Sequence, residues 1–117
     1  MGNDRSVVPI VCTRAAIFLF LAVPAMLNAD TKAGEDTFKT KCAVCHGSDG
    51  SGDTEIGKAL QAADLRTPDV QKVSTVDLVK IVQDGKNKMP PFKDKLTANQ
   101  IKDVAAYLRT LAQKPAK

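Results

Sequence analysis

The five residues from Cys42 to His46, with the sequence CAVCH, constrain this chain more than any other part of it. The spacing C-x-x-C-H is the attachment signature of a c-type haem. On a helical turn, positions 42, 45 and 46 are related as i, i+3 and i+4, so their side chains share one face. Cys42 and Cys45 then each form a thioether to the same porphyrin, and His46 becomes the proximal iron ligand. The motif therefore predicts one covalently attached haem c with its iron.

The first 29 residues have the pattern of an export signal. Two arginines precede or border the apolar run AAIFLFLAVPAML at residues 15–27, and small residues follow. We expect cleavage after Ala29, with cleavage after Ala25 as the alternative. The run is shorter than the ~20 apolar residues of a spanning helix. The prediction is a cleaved signal peptide at 1–29, a domain at 30–117 and a periplasmic location, a retained N-terminal membrane anchor being the alternative.

Removal of the signal peptide simplifies the chemistry of the chain. The full sequence has three cysteines, three methionines and one histidine. After cleavage Cys42, Cys45, His46 and Met89 are the remaining residues of these types. The signal contains two arginines and one acidic residue, so 15 Lys and Arg then stand against 12 Asp and Glu. This mild positive charge, with few aromatic residues and no dense basic run, gives little support to nucleic-acid binding.

Apolar spacing predicts an all-α domain with long loops around the haem. The predicted helices are 33–45, 56–63, a turn opened by Pro68, a helix capped by Ser74 and ended by Gly85, and a final helix capped by Thr97. The apolar stripe of the final helix comprises Ile101, Val104, Ala105, Leu108, Leu111 and Ala112. Three glycines make the segment 47–53 a loop. Because so small a domain has a thin apolar core, we expect the haem to complete it.

Met89 is the candidate for the second iron ligand. It lies 43 residues after His46, and Pro90 and Pro91 fix the backbone on one side of it. A rigid loop suits a weak thioether ligand, because little conformational freedom is lost on binding. The alternative is a methionine that fills a gap in the core, but the flanking lysines and prolines are a poor setting for it. We expect Met89 to be the distal ligand of a His/Met iron.

These features together resemble the small soluble class I cytochromes c of bacteria and algae. The parts that carry the resemblance are Gly34 and Phe38, the CAVCH motif, the Lys88-Met89-Pro90 loop and the VAAYL sequence at 104–108. The resemblance covers about Gly34 to Leu111 and implies the cytochrome c fold, with three to five helices around one haem. It also implies that the first and last helices cross closely, with Gly34 at the approach and Phe38 packed against Tyr107.

One departure from that family concerns the hydrogen-bond acceptor for the ring of His46. Many of the proteins it resembles use a proline carbonyl after the haem motif, but this chain has no proline between His46 and Thr67. We therefore expect a backbone carbonyl in the loop 47–56 to accept from the second ring N–H.

The expected function is one-electron transfer, because a six-coordinate His/Met iron has no open position for a substrate. Neutral thioether sulfur favours the ferrous state and raises the reduction potential relative to two histidines. We expect a monomeric, non-enzymatic carrier with redox proteins as partners and no small-molecule substrate. Lysines near the haem motif and Met89 predict acidic docking faces on those partners, a merely solvated face being the alternative. These lysines are Lys39, Lys41, Lys86, Lys88, Lys93 and Lys95.

Four other functions stay open from the sequence. A thiol–disulfide enzyme would use Cys42 and Cys45, but its site needs a βαβ setting. A structural zinc site needs four ligands, and the two cysteines with His46 supply three. A haem protein with Met89 displaced would have an open iron for gas sensing or peroxidase-like chemistry. A chain that retains its N-terminal segment would serve as a membrane-tethered haem subunit of a larger redox complex.

Overall fold

The computed structural model of the protein describes residues 29–114. The predicted signal peptide lies outside these residues except for Ala29, as does the tail 115–117. Within residues 29–114, six α-helices follow one another, and a short 3-10 helix succeeds the last. They are α1 Thr31–Lys41, α2 Ala43–His46, α3 Glu55–Leu60, α4 Pro68–Gln71, α5 Thr75–Asp84, α6 Ala98–Thr110 and the 3-10 helix Leu111–Gln113. Across residues 29–114, no helix is long and apolar enough to cross a membrane.

Side-chain caps determine where α5 and α6 begin. Thr97 Oγ1 accepts from the Gln100 N–H at 3.2 Å, and Gln100 Oε1 accepts from the Thr97 N–H at 2.9 Å. This reciprocal pair is a capping box. The Ser74 hydroxyl caps α5 by accepting from the Asp77 N–H at 3.1 Å, and Gly85 ends that helix at φ 77°. The predicted ends of α5 and the predicted start of α6 are confirmed.

The helix predicted over 33–45 is interrupted at Cys42. The φ of Cys42 is −114°, which lies outside the narrow helical range and separates α1 from α2. Its N–H still donates to the Phe38 carbonyl at 2.9 Å, so the chain bends without leaving its helical path. Because of this break, residues 29–114 contain six α-helices, one more than the three to five that we expected.

The helix predicted over 56–63 ends earlier, at Leu60. Gln61 adopts the left-handed conformation, with φ 58° and ψ 44°, and its N–H closes the helix onto carbonyls of the last turn. Apolar spacing continues to Ala63, but it does not report the backbone conformation of a non-glycine residue. The early end of α3 allows the chain to reverse and run back toward the haem motif.

Helices α1 and α6 cross at Gly34. A Cβ atom on Gly34 would lie 2.1 Å from the carbonyl oxygen of Asp103, so a side chain has no room there. One helical turn later the rings of Phe38 and Tyr107 pack at a centroid distance of 5.3 Å and an interplanar angle of 53°. Both rings are buried. The crossing that the family resemblance implies is confirmed.

Helix α6 contributes to two apolar clusters. The first contains Phe38, Leu65, Val104, Tyr107, Leu108 and Leu111, with Cys42, Ala43 and Val70 packed against it. The second contains Val82, Leu96 and Ile101, with Val79, Met89 and Phe92 packed against it. The predicted stripe of α6 is buried except for Ala112, which the 3-10 helix turns toward solvent. Cys42 and Met89 therefore border different clusters on the same helix.

Replacement of Gly34 by alanine is expected to lower the free energy of unfolding by about 3 kcal/mol or more, since the new Cβ would collide with backbone at the crossing. Urea unfolding followed by circular dichroism measures this. Thr40→Ala, at an exposed position on α1, is the control and should change stability by less than about 0.5 kcal/mol. An equal effect of the two substitutions would contradict the close crossing.

Candidate haem-binding site

The CAVCH motif forms a single helical turn that begins where α1 ends. The N–H groups of Cys45 and His46 both donate to the carbonyl of Cys42, at 3.2 and 3.0 Å. Residues at i, i+3 and i+4 of such a turn share one face. The local helical conformation on which the haem prediction depends is therefore present, and it gives the two cysteines and His46 the spacing that places them on one face of the turn.

One backbone carbonyl holds the His46 ring. Nδ1 of His46 lies 3.0 Å from the carbonyl oxygen of Ala63. Because a carbonyl only accepts, Nδ1 carries the proton and Nε2 keeps a free lone pair. Burial lowers the pKa of His46, although the hydrogen bond to Ala63 opposes this. The ring is thus a neutral imidazole, the form that binds a metal.

The prediction that the hydrogen-bond acceptor of His46 lies in the loop 47–56 is wrong, because the acceptor Ala63 lies beyond that loop and beyond α3. The left-handed Gln61 reverses the chain after α3 and returns Ala63 to the haem motif. The segment around Ala63 would have been a candidate acceptor only if the end of α3 at Leu60 had been known. An acceptor from a backbone carbonyl was expected correctly, but its position depends on a turn that carries no sequence signal.

The two cysteines are not joined in a disulfide, and both are partly buried. Burial, with a smaller effect of Cys45, raises the pKa of the Cys42 thiol to about 11. A thiol that stays protonated at neutral pH is a poor nucleophile, which weighs against the thiol–disulfide alternative. For the zinc alternative, residues 29–114 hold no group of three or more His, Cys, Asp or Glu side chains placed around a metal ion.

Met89 lies in a tight turn that follows α5. Lys86 and Met89 exchange backbone hydrogen bonds of 3.2 and 2.9 Å, and Asn87 between them has φ 53°. Gly85 allows this turn, since a Cβ there would lie 2.5 Å from the Met89 carbonyl oxygen. The Met89 side chain is half-buried at the border of the second apolar cluster. Two backbone hydrogen bonds and one close approach therefore hold the Met89 backbone in this turn.

Three residues that support the haem motif were missed in the sequence. Thr54 caps α3 by accepting from the Gly57 N–H at 2.8 Å, and its hydroxyl also lies 3.1 Å from the Cys45 carbonyl. A Cβ on Gly57 would lie 2.2 Å from that same carbonyl oxygen, so α3 packs directly on α2. A Cβ on Gly52 would be 2.6 Å from the Ala62 carbonyl oxygen. A threonine before a helical run signals an N-cap, but glycines in a loop do not reveal what approaches them.

The residues around this turn suit a porphyrin. In α3, which packs on α2, the apolar side chains of Ile56 and Leu60 are 48% and 39% exposed. Exposed apolar side chains beside a C-x-x-C-H turn provide the surface against which an apolar macrocycle packs. Two thiols, a neutral imidazole with a free Nε2 and a half-buried thioether are the donor set of a His/Met haem c. The residues present therefore fit the haem that the motif predicts.

Comparison with known proteins identifies the family. Residues 29–108 match the family described as cytochrome C oxidase, cbb3-type, subunit III. The chain is 36% identical to cytochrome c6 of Thermosynechococcus vestitus over 108 residues, which are 89% of this chain and 90% of that protein. Its fold is similar to the KustC0563 c-type cytochrome, with a TM-score of 0.62 and 30% identity over 67% of this chain and 95% of the other. It is also similar to cytochrome c6 of the diatom Phaeodactylum tricornutum, with a TM-score of 0.57 and 30% identity over 71% and 94% of the two chains.

The chain therefore belongs to the cytochrome c family, as a small monohaem class I cytochrome. Within that class, its similarity to cytochromes c6 extends over most of their length. The resemblance stated from the sequence and the all-α cytochrome c fold are confirmed. Membership of the family makes the protein an electron-transport protein rather than an enzyme, and it implies a haem cofactor with iron.

Proposed function

We propose that the protein is a periplasmic one-electron carrier whose haem c is held by Cys42, Cys45, His46 and Met89. The observation that carries this proposal is the arrangement at the motif turn. The two thiols share the turn with His46, and the hydrogen bond of 3.0 Å from Nδ1 to Ala63 leaves Nε2 for the iron. When bound, the haem supplies a centre that gains and loses one electron.

A closed pair of axial ligands favours electron transfer over substrate chemistry. Met89 supports this because its backbone is fixed by two hydrogen bonds to Lys86 and by the close approach of Gly85. A backbone held in this way limits how far the Met89 side chain moves when the charge of the centre changes, so little rearrangement opposes the electron. An open-iron function would require the Met89 side chain to turn away from the iron while its backbone stays in place.

Optical spectra of the oxidised and reduced protein test this proposal. The protein is produced in a host that matures c-type haem, and the haem should stay attached after denaturation. We expect low-spin spectra in both oxidation states that carbon monoxide does not change. A high-spin spectrum that shifts with carbon monoxide would show that the protein has an open iron and is not the proposed carrier. A protein without haem would refute the proposal as a whole.

We infer that the partners carry acidic docking faces, because lysines whose charge no ion pair compensates lie on both sides of Met89. Lys86 and Lys88 are exposed, and in the described part of the chain neither forms an ion pair. Two other lysines of the predicted set are compensated. Lys39 pairs with Glu35 at 2.7 Å, and Lys93 lies 4.0 Å from Asp84. Lys41 and Lys95 are also exposed and form no ion pair in residues 29–114, so four of the six predicted lysines keep an uncompensated charge.

Replacement of both Lys86 and Lys88 by glutamate should slow electron transfer to ferricyanide, an anionic probe, by about tenfold at low ionic strength. Transfer to a cationic cobalt–phenanthroline complex should become faster, and both effects should fade at high salt. The control replaces Lys32 and Lys72, which pair with Asp36 and Asp69, and gives the same change in net charge. Equal rates in the two double variants would show that net charge alone acts, and would contradict a docking face.

A further inference from the structure

We propose that Gly52 is a positioning residue for His46, which seats the Ala63 carbonyl against the imidazole and thereby influences the reduction potential. This inference rests on the proposed function, because it takes His46 as the iron ligand. The residue lies 6 positions after His46 in the chain, is hydrogen-bonded to the His46 backbone, and leaves no room for a side chain against the Ala62–Ala63 segment.

Gly52 lies between the haem motif and the segment that supplies the acceptor. Its N–H donates to the His46 carbonyl at 2.7 Å. On its other side a Cβ would lie 2.6 Å from the Ala62 carbonyl oxygen and 3.4 Å from the Ala63 carbonyl oxygen. Its φ is 74°, which L side chains rarely adopt. Steric contact and backbone conformation therefore both require glycine at this position.

Two further backbone hydrogen bonds hold the acceptor segment on either side of Ala63. The Ala62 N–H donates to the Gly57 carbonyl at 2.8 Å, and the Leu65 N–H donates to the Gly50 carbonyl at 2.8 Å. The segment is thus attached to α3 before Ala63 and to the glycine-rich loop after it. With both ends attached, the spacing between Gly52 and the segment determines how closely the Ala63 carbonyl approaches the ring.

That approach has an electronic consequence for a ligated histidine. A hydrogen bond from Nδ1–H to an acceptor raises the basicity of the imidazole as a metal ligand. A more basic ligand favours the ferric state, so the hydrogen bond lowers the reduction potential. A side chain at position 52 would displace the Ala62–Ala63 segment and weaken the hydrogen bond. We therefore expect the potential to rise without any exchange of ligand.

The test compares Gly52→Ala with Gly50→Ala in the haem-loaded protein. Gly50 is a matched control because it lies in the same loop with φ 80° and would keep the carbonyl that accepts from Leu65, while its Cβ would meet the side chains of Leu111 and Leu65, at 2.8 and 3.6 Å, rather than the acceptor backbone. The two measurements are the reduction potential and the solvent exchange of the His46 Nδ1–H by NMR. Gly52→Ala should show a higher potential and faster exchange than Gly50→Ala, with the low-spin spectrum retained.

Equal potentials and equal exchange rates in the two variants would overturn the inference. If Gly52→Ala yields no haem protein, Gly52→Asn and Gly50→Asn repeat the comparison, because asparagine adopts positive φ more readily but still carries a Cβ. The unsubstituted protein gives a test that needs no variant. Rapid exchange of its His46 Nδ1–H, as in an exposed imidazole, would also overturn the inference. Each of these failures leaves the proposed carrier intact if the unsubstituted protein has the low-spin spectrum, whereas loss of the carrier itself appears in that spectrum.

Discussion

Replacement of His46 by alanine is expected to reduce the haem content of the purified protein by roughly tenfold or more. The substitution removes the proximal ligand and leaves the Ala63 carbonyl without the donor that lies 3.0 Å from it. Because metal binding and folding are coupled, a domain that cannot ligate the iron also loses the stability that ligation supplies. Haem per polypeptide, measured after denaturation, and the urea unfolding midpoint of the surviving fraction are the measurements.

Thr54→Val is the matched control for that loss. The Thr54 hydroxyl contacts the Cys45 carbonyl at 3.1 Å and caps α3, so the substitution weakens the same turn without removing a ligand. We expect a cost of about 1–3 kcal/mol and a normal haem content. Equal loss of haem in the two variants would show that the turn, and not the ligand, is responsible. A low-spin haem protein from His46→Ala would refute the assignment of His46.

The elements that the sequence predicted well are those whose determinants are local. The capping box of Thr97 and Gln100 lies within four residues, and the CAVCH turn within five. Short-range hydrogen bonds and side-chain spacing specify such elements almost independently of the rest of the fold. The crossing at Gly34 is different, because it is long-range and came from resemblance to a family rather than from spacing.

The support of His46 could not be predicted because it depends on close approaches between segments distant in sequence. The three glycines of the segment 47–53 correctly predicted a loop. They did not reveal that Gly52 faces the Ala62 carbonyl or that Ala63 accepts from His46. Those contacts require the left-handed turn at Gln61, and a glutamine in that conformation has no recognisable sequence signal. The candidate ligand could therefore be named from the sequence, while the position of its hydrogen-bond acceptor could not.

The charge pattern shows the same limit at the surface. Lysines can be counted in the sequence, but the partner of each depends on helix register and on neighbouring loops. Lys39 is compensated by Glu35 because they lie one helical turn apart on α1. Lys86 and Lys88 lie in the turn that presents Met89. The structure thus separates the lysines that are compensated from those that are not, and two of the uncompensated ones, Lys86 and Lys88, lie beside the expected distal ligand.

Replacement of Met89 by alanine is expected to keep the haem attached but to lower the reduction potential by about 0.1 V or more, within the ~0.8 V that axial ligation controls. The thioether favours the ferrous state, so its loss favours the ferric state. The vacated position should also admit carbon monoxide. Redox titration and the spectrum of the reduced protein with carbon monoxide measure the two effects.

The control for Met89→Ala separates ligation from packing. Val79 borders the same apolar cluster, so Val79→Ala removes apolar contacts there without removing a sulfur. It should lower stability but leave the potential and the response to carbon monoxide unchanged. Met89→His provides the converse, because a second imidazole should close the iron to carbon monoxide and still lower the potential. If Met89→Ala left the potential unchanged, or if Val79→Ala shifted it equally, Met89 would be a core residue and the iron would need another sixth ligand.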